Sequence, residues 1–430
     1  MRQELPKYPK YKPSGVVWIE EIPEGWQVHP IKRLLSSIID TEHKTAPFEP
    51  DGEYLVARTS NVRDGRLHLE NAKYTSEDGY REWTVRGRPR PGDILFTREA
   101  PAGEACIVPN APPLCLGQRV VLFRTNRNKA DSGFLVYSIC EGLARRFIDI
   151  KSQGSTVPHF NMSDIGIIPI LAPPDLSNQR AIVAFLDVET GKIDRLMGVR
   201  RRQIEVLREQ RAAVIHHAVT QGLDPTAPMK DSGVEWLGMI PAHWEVRRLK
   251  FLAHIKNGQD FKKVEAETGY PVIGSGGQFA YATDYLFKGE SVLFGRKGTI
   301  DRPLYVNGAF WTVDTMFYCR ITNEISPRYL YFCALGFPFG YYSTQTALPS
   351  MTQQDLSNHT SAVPPMTEQL MIVAHIDRET AKIDALIAKY ERELALLEEY
   401  RASLISHAVT GKIDVRGWVE TNEAKEGATA

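Results

Sequence analysis

The chain has 430 residues, 43% of them hydrophobic, which is enough for buried cores in two or more domains. Its 52 basic and 52 acidic residues cancel. This balance argues against a protein that coats nucleic acid without sequence preference, since such binding is mostly phosphate neutralisation. Five scattered cysteines form no C-x-x-C pair, so neither a zinc site nor a disulfide framework is indicated. No apolar run approaches the ~20 residues that cross a bilayer, and the polar start is unlike a signal peptide, so we expect a cytoplasmic protein with no metal site.

The first stretch of the chain, residues 1–13, is rich in Lys, Pro and Tyr and predicts an N-terminal arm. From Ser14 the sequence SGVVWIEEIPEGWQVHPIK begins a domain. It returns from Ser232 as SGVEWLGMIPAHWEVRRLK, with nine identities in 19 positions. We therefore expect a tandem duplication, in which the tryptophans of each entry segment pack against that domain's own core.

Two bodies of short strands follow these entry segments. LVARTSNV, GDILFTRE, ACIV and RVVLFRT predict strands in the first, with a helix over 134–147 and a loop over 154–158. YPVIG, SVLFGRK, PLYV and TVDTMFYCR predict strands in the second, with a helix over 327–335 and a loop over 344–349. GSGGQF (274–279) is interpreted as a loop that lets backbone approach a partner. The ends of the bodies agree and their middles differ, as expected for one scaffold that presents two surfaces.

A helical segment after each body is the strongest repeat. Residues 181–224 and 371–414 share 21 of 44 positions without a gap. Apolar residues at alternating spacings of four and three predict a coiled-coil seam in each copy. The seam residues are Ile193, Met197, Ile204, Leu207 and Val214 in the first copy and Ile383, Ile387, Leu394, Leu397 and Leu404 in the second. Arg200, Arg211 and Arg401 within the seam keep open the alternative of two ordinary bundle helices.

The predicted fold is α+β: two tandem α/β domains joined by a long antiparallel two-helix coiled coil, with pseudo-twofold symmetry. The predicted boundaries are an arm (1–13), the first domain (14–172), a helical region (173–224), a linker (225–231), the second domain (232–365), a second helical region (366–414) and a tail (415–430). Helices of about 30 residues would be about 45 Å long at 1.5 Å per residue.

A search for catalytic motifs finds no G-x-x-x-x-G-K-[ST], no G-x-S-x-G, no H-E-x-x-H and no Asn-Pro-Pro-aromatic segment, so no catalytic residue is predicted. What remains are polar and basic side chains at strand ends and loops, of the types that read base edges and phosphates. Each of them taken singly also fits a solvated surface residue. The candidates are Arg58, Asn61, Arg98, Gln118, Arg119, Lys151, Gln153, Ser155, Thr156 and His159 in the first body and Ser275, Gln278, Arg296, Lys297, Thr312, Gln345 and Ser350 in the second.

Arg98 and Arg296 stand out among these candidates because each directly follows the same predicted buried strand. A turn containing Ala or Gly comes after each of them. Arginine at such a position can contact base edges or phosphates.

Three motifs carry a family resemblance: W-[IL]-x-x-I-P-x-x-W at both domain starts, GDILFTRE with SVLFGRKG, and the IVA…ET-x-KID helices that end in HAVT. Over about residues 14–414 the chain resembles the DNA-specificity subunits of type I restriction–modification systems. The resemblance implies that each domain reads one half of a bipartite, asymmetric site in double-stranded DNA, and that the helices space the halves and dock two modification subunits.

The resemblance also implies a non-catalytic subunit that holds no cofactor of its own. S-adenosylmethionine, ATP and Mg²⁺ would be bound by the modification subunits and the restriction/translocase subunits. Two alternatives stay open. One is an orphan or decoy coiled-coil protein that does not read DNA, and the other is a single-chain DNA methyltransferase. DNA footprinting separates the first alternative from the main interpretation, and titration with S-adenosylmethionine separates the second.

Overall fold

The computed structural model describes residues 6–16, 18–41, 44, 46–152, 159–342 and 349–418. The chain forms two compact units. Unit 1 comprises Met1–Gly198 and Glu393–Ala430, and unit 2 comprises Val199–Arg392. Within the described residues, no helix has the length and apolar character needed to cross a membrane.

Unit 1 contains thirteen strands and the first five helices among its described residues. The strands are β1 (Tyr11–Val16), β2 (Ile19–Pro23), β3 (Gln27–Pro30), β4 (Leu35–Asp40), β5 (Tyr54–Ala57), β6 (Val62–Arg63), β7 (Arg66–Leu67), β8 (Tyr74–Thr75), β9 (Ile94–Thr97), β10 (Ala105–Ile107), β11 (Leu114–Leu116), β12 (Val120–Thr125) and β13 (Pro169–Ala172). The helices are α1 (Glu77–Trp83), α2 (Ser132–Cys140), α3 (Leu143–Ser152), α4 (Met162–Ile165) and α5 (Leu176–Gln221), which continues into unit 2.

An antiparallel sheet in the order β10-β9-β12-β4 forms the centre of unit 1. Successive side chains of a strand point to opposite faces, and here both faces are covered. Phe96 and Phe123 join the main core, while Leu95 and Leu122 join a second core with β5 and β11. This two-sided burial explains why β9 and β12 are continuous apolar runs rather than alternating ones.

The helix predicted over 134–147 is wrong as a single element, because the structure has α2 and α3 with a break between them. Gly142 lies at the break with φ +79°, a left-handed conformation that glycine adopts without steric cost. A Cβ at this position would lie 3.1 Å from a methyl carbon of Val409, which is close contact. The break therefore lies in close contact with the end of a later helical segment, at Val409.

Unit 2 contains eleven strands and the remaining helices among its described residues. The strands are β14 (Met229–Asp231), β15 (Met239–Pro241), β16 (Glu245–Arg248), β17 (Ala253–Asn257), β18 (Glu265–Ala266), β19 (Tyr270–Gly274), β20 (Gly277–Ala282), β21 (Phe287–Gly295), β22 (Leu304–Thr312), β23 (Met316–Ile321) and β24 (Thr360–Val363). The helices are α6 (Leu249–Leu252), α7 (Pro327–Leu335), α8 (Phe339–Tyr342), α9 (Gln353–Asn358) and α10 (Met366–Val409), which continues into unit 1.

A seven-stranded sheet in the order β17-β23-β21-β22-β19-β20-β18 forms the centre of unit 2. The interpretation of GSGGQF as a loop is wrong at its end, because β20 begins at Gly277 and pairs back onto β19 as a hairpin. Gly277 has φ +102°, which the short turn requires.

The two units share one strand frame. The entry strand pairs with the last strand of the body in both, as β3 with β13 and β16 with β24. The parallel pair β5 and β11 of unit 1 corresponds to the parallel pair β19 and β22 of unit 2. Trp26 and Trp244 are buried in the cores of their own units. The predicted α+β fold with two tandem domains is therefore confirmed.

Helices α5 and α10 have 46 and 44 residues, longer than the expected 30. They are longer because the turns before each seam are also helical and pack on a domain core. Ile182 and Phe185 are buried in unit 1, and Ile372 is buried in unit 2. The structure buries five of the seam residues and half-buries the other five. The buried ones are Ile193, Met197, Ile204, Ile383 and Leu404, and the half-buried ones are Leu207, Val214, Ile387, Leu394 and Leu397.

Polar contacts between the helices fit antiparallel pairing. In unit 2 the α5 residues Arg208 and Arg211 bind Glu391 and Asp384 at 3.1 and 2.8 Å, so the α10 partner number falls as the α5 number rises. The guanidinium of Arg200 lies 4.7 Å from the ring centre of Tyr390, which occupies the equivalent position in the other repeat copy. The seam arginines therefore pair across the helices, and the predicted long helix pair is confirmed.

Candidate functional site

The ends of three strands of unit 1 meet at one edge. Strands β5 and β11 are parallel, and the N–H of Gly117 donates to the carbonyl oxygen of Ala57 at 2.8 Å. Arg58 and Gln118, which follow these strands, are therefore neighbours. The N–H of Arg98, after β9, donates to the carbonyl oxygen of Arg119 at 2.9 Å.

Arg98 is buried at this edge, with 7% of its surface exposed. Its Nε donates to the carbonyl oxygen of Phe160 at 3.3 Å, and its Nη1 lies 3.5 Å from a carboxylate oxygen of Asp40. The N–H of Phe160 in turn donates to the carbonyl oxygen of Arg98 at 2.9 Å. Arg98 thus braces β9 against the segment before α4. Its contact with DNA stays a prediction, and its burial leaves little surface for one.

Glu99 holds two of the candidates in unit 1. One carboxylate oxygen lies 2.8 Å from Nε of Arg119, and the other lies 2.5 Å from Nδ1 of His159. Glu99 and His159 also form an isolated backbone β-bridge. The side chains of Arg119 and His159 remain 47% and 37% exposed. A single carboxylate therefore orients two partly exposed cationic or polar groups at the strand-end edge.

Other candidates of unit 1 lie in different settings. Arg58 is half-buried and donates from Nη2 to the carbonyl oxygen of Asn71 at 2.7 Å. Asn61 is fully buried, and its amide serves the turn by accepting from the N–H of Arg58 at 3.1 Å. Lys151 is exposed at the end of α3, 3.7 Å from Asp164. Gln153, Ser155 and Thr156 lie outside the described residues.

Unit 2 repeats the same backbone connections at its strand ends. The N–H of Arg296, after β21, donates to the carbonyl oxygen of Thr315 at 2.8 Å, and its Nη1 donates to that of Asp314 at 3.4 Å. Lys297 and Ser350 form the isolated β-bridge that Glu99 and His159 form in unit 1. Lys297 is exposed and Ser350 half-buried, so both reach the surface at this edge.

The remaining candidates of unit 2 divide by burial. Thr312 is fully buried and donates to the carbonyl oxygen of Ile273 at 2.8 Å, so it joins the two parallel strands and has no surface for a ligand. Ser275 is half-buried in the hairpin turn, and Gln278 is exposed on β20. Gln345 lies outside the described residues.

Thr315 is a site residue that the sequence reasoning missed. It occupies the position of Arg119, because both accept from the arginine that follows the buried strand. Asp40, beside Arg98, was missed as well. The equivalence of Thr315 and Arg119 becomes visible only from their hydrogen bonds in the structure. The sequence segments that align between the two bodies do not include Thr315.

Cysteine chemistry contributes nothing to either edge. All five cysteines are free thiols. Burial raises the pKa of each thiol to about 12. They are therefore protonated at neutral pH and poor nucleophiles. Within the described ranges, no group of three or more His, Cys, Asp or Glu residues is placed to hold a metal ion.

The structure therefore has a duplicated frame with unlike side chains at its two strand-end edges. The model of the family described as "Type I restriction modification DNA specificity domain" matches residues 23–205 and 241–395, which is more than half of the chain. The chain belongs to this family.

Two curated relatives have similar length. A putative type I restriction enzyme MjaX specificity subunit from Methanocaldococcus jannaschii is 24% identical, and the match covers 93% of this chain and 96% of the relative. The type I restriction enzyme EcoKI specificity subunit from Escherichia coli K12 is 21% identical, with coverages of 95% and 93%.

A solved structure has the same fold. It comes from work described as the structural basis underlying complex assembly and conformational transition of the type I R-M system. The TM-score is 0.71 at 17% identity, and the match covers 91% of this chain and 99% of the other.

Proposed function

We propose that this chain is the sequence-specific DNA-recognition subunit of a type I restriction–modification complex. Each unit reads one half of a bipartite, asymmetric site in double-stranded DNA. The observation that carries the proposal is the pair of strand-end edges, which have the same backbone connections and different side chains. Two equivalent frames with unlike side chains suit a site whose halves differ in sequence.

The chemistry of the exposed side chains supports DNA as the ligand. Arg119 and Lys297 are exposed cations at these edges, and Lys151 is an exposed cation at the end of α3. Arginine and lysine bind guanine and phosphate, while polar side chains such as Gln278 bind base edges. Because the whole chain has no net charge, a few local contacts rather than a general positive field would select the DNA.

The surface of the helix pair supports docking of modification subunits. Large apolar side chains are exposed on it in both units: Leu196, Leu396 and Tyr400 in unit 1, and Val199, Val206 and Leu386 in unit 2. Exposed apolar side chains on a helix surface can take part in protein interfaces. Because such side chains occur in both units, we infer one modification subunit per unit, two in all.

The chemical steps belong to the partners in this proposal. The chain itself is non-catalytic and binds no cofactor. S-adenosylmethionine is bound by the modification subunits, and ATP and Mg²⁺ by the restriction/translocase subunits. A cytoplasmic location follows, because the substrate is intracellular DNA.

The proposal is tested by methyl transfer from labelled S-adenosylmethionine to duplex DNA. The chain alone is expected to transfer no methyl group. Together with the modification subunit of its own system, it is expected to direct methylation to one split sequence. The matched control is the modification subunit alone, which should show no such sequence preference. Methyl transfer by the isolated chain, or methylation at a continuous unsplit sequence, would contradict the proposal.

A further inference from the structure

The residues that the two units share at their strand-end edges differ in role from the residues that they do not share. Both units place an arginine after the buried strand, Arg98 and Arg296. The segment before the next short helix bonds back to this arginine in each. The N–H of Phe160 donates to the backbone carbonyl oxygen of Arg98 at 2.9 Å. The N–H of Met351 donates to the backbone carbonyl oxygen of Arg296 at 3.0 Å. A feature present in both units fits a common structural requirement.

Three positions on this frame carry different chemistry in the two units. The first directly follows the shared arginine and is Glu99 in unit 1 and Lys297 in unit 2. The second accepts from the N–H of that arginine and is Arg119 or Thr315. The third is bridged to the first and is His159 or Ser350. We call these three positions the variable triplet. At the first of them the charge is opposite in the two units, negative in Glu99 and positive in Lys297.

The backbone of Arg119 adds an independent observation. Its φ of +71° is left-handed, a conformation that costs free energy for any residue with a Cβ. The arginine nonetheless stands there and is held by Glu99 at 2.8 Å through Nε. The contact is made through Nε, on the side-chain stem, and arginine can bind guanine with its guanidinium group. Residues held in costly conformations concentrate at functional sites.

We propose that the variable triplet of each unit determines its base preference, with Glu99 as the positioning residue that orients Arg119 and His159. This inference rests on the proposed function. The inference adds the residues that determine specificity. Glu99, Arg119 and His159 serve one half-site, and Lys297, Thr315 and Ser350 serve the other. Arg98 and Arg296 have structural roles instead. The charge of Glu99 is balanced by Arg119, so Glu99 can lie near DNA without net repulsion.

The experiment uses the full chain in complex with its modification subunits and a pool of duplexes randomised at both half-sites. Arg119→Gly removes the side chain and relieves the left-handed backbone, so the melting temperature should stay the same or rise. Discrimination at one or more positions of a single half-site should fall by about fivefold or more. Lys297→Ala should alter only the other half-site. Arg81→Ala removes an equally charged, exposed arginine from α1 and serves as the matched control, with no change expected.

The outcomes separate this inference from the proposed function. If the wild-type complex selects no split sequence, the proposed function fails. If the wild type selects one and Arg119→Gly keeps the same bases at both halves, the variable triplet is overturned and the proposed function stands. An equal loss of binding to all sequences would also overturn it, since that is the result expected of a phosphate contact. Restored preference in Arg119→Lys but not in Arg119→Gln would support charge-dependent readout.

Discussion

Single buried glutamines hold the same junction in both units. Oε1 of Gln179 accepts from the N–H of Asp131 at 2.9 Å, and Oε1 of Gln369 accepts from the N–H of Ser326 at 2.7 Å. The two donors, Asp131 and Ser326, are the N-cap residues that directly precede α2 and α7. Each glutamine is 1% exposed, so its amide satisfies backbone groups that would otherwise be buried without a partner. The repeat thus preserves a hydrogen-bonding duty as well as an apolar pattern.

His359 marks a residue-level difference between the units. It is 2% exposed, and burial lowers its pKa to about 3. Its ring centre lies 5.4 Å from that of Trp236 and 3.6 Å from that of Phe337. The aligned position in unit 1 is Ile168, which is also fully buried. Unit 2 therefore carries a neutral imidazole where unit 1 carries an aliphatic side chain.

We predict that unit 2 loses stability in acid because of His359. Unfolding exposes the imidazole, whose pKa then returns to about 6.5, so the unfolded state binds the proton first. The stability that the neutral ring contributes above pH 6.5 is lost as the pH falls towards 3. At pH 4.5 the loss is about 2–3 kcal/mol. Hydrogen exchange of unit 2 at pH 7 and 4.5 measures it.

His359→Ile is expected to flatten this acid dependence, because the unit 1 residue type cannot be protonated. Replacement of the exposed His217 by Ile is the control and should leave the dependence unchanged. Equal acid loss in wild type and His359→Ile would show that other groups cause it.

At the scale of elements, the helix pair combines an apolar seam with two ion pairs between α5 and α10. Asp194 of α5 binds Arg401 of α10 at 3.0 Å in unit 1, and Arg211 of α5 binds Asp384 of α10 at 2.8 Å in unit 2. These are the same two repeat positions with the helices exchanged. Each ion pair fixes the antiparallel register where it lies.

We predict that the length of the helix pair sets the spacing of the two half-sites. Seven residues inserted after Arg200 and seven after Tyr390 keep the phase of the seam, because seven residues make one coiled-coil repeat. They lengthen each helix by about 10 Å, equivalent to about three base pairs. The methylated sequence should then have a longer spacer and unchanged half-sites, which sequencing of methylated DNA measures.

Insertion of three residues at the same two places is the matched control for this prediction. It shifts the seam out of phase and should destabilise the pair instead of lengthening the spacer. Changed half-site bases with an unchanged spacer would refute the assignment of spacing to the helices.

At the scale of the whole molecule, both ends of the chain complete unit 1. The N–H of Asp414 donates to the carbonyl oxygen of Pro6 at 2.7 Å, and the hydroxyl of Tyr11 donates to that of Gly411 at 3.0 Å. The ring of Trp418 packs edge-on against the ring of Phe185, with the ring centres 5.5 Å apart. Unit 1 is thus closed by contacts between segments about 400 residues apart, whereas unit 2 is one continuous stretch.

We predict that deletion of residues 411–430 destabilises unit 1 and leaves unit 2 nearly unchanged, because the lost contacts all lie in unit 1. Deletion of 419–430 is the control, since it removes none of the contacts described above. Hydrogen exchange resolved by peptide gives the opening free energy of each unit separately. An equal effect of both deletions, or a larger loss in unit 2, would contradict this account.

The duplication, the strand-rich bodies and the paired helices could be predicted from the sequence alone. These features depend on periodicity and on repeats, which are written in order along the chain: the four-and-three spacing from Ile193 and Ile383, and the apolar runs of β9 and β21. The positions of Trp26 and Trp244 in their own cores follow from the same repeat.

Tertiary structure alone decided which polar residues face outward. Arg98, Asn61 and Thr312 are residue types that also occur among the exposed candidates, yet all three are buried. Arg98 and Thr312 bond to segments far along the chain, at Phe160 and Ile273. Glu99 meets His159 only after β9 is bridged to a segment 60 residues away. Gly142, at the break between α2 and α3, likewise meets the end of α10 only in the folded chain. A local sequence pattern is enough to specify a helix or a strand. Which side chains face water depends on the register between distant strands, because hydrogen-bonded pairing fixes which side chain at each strand end remains exposed.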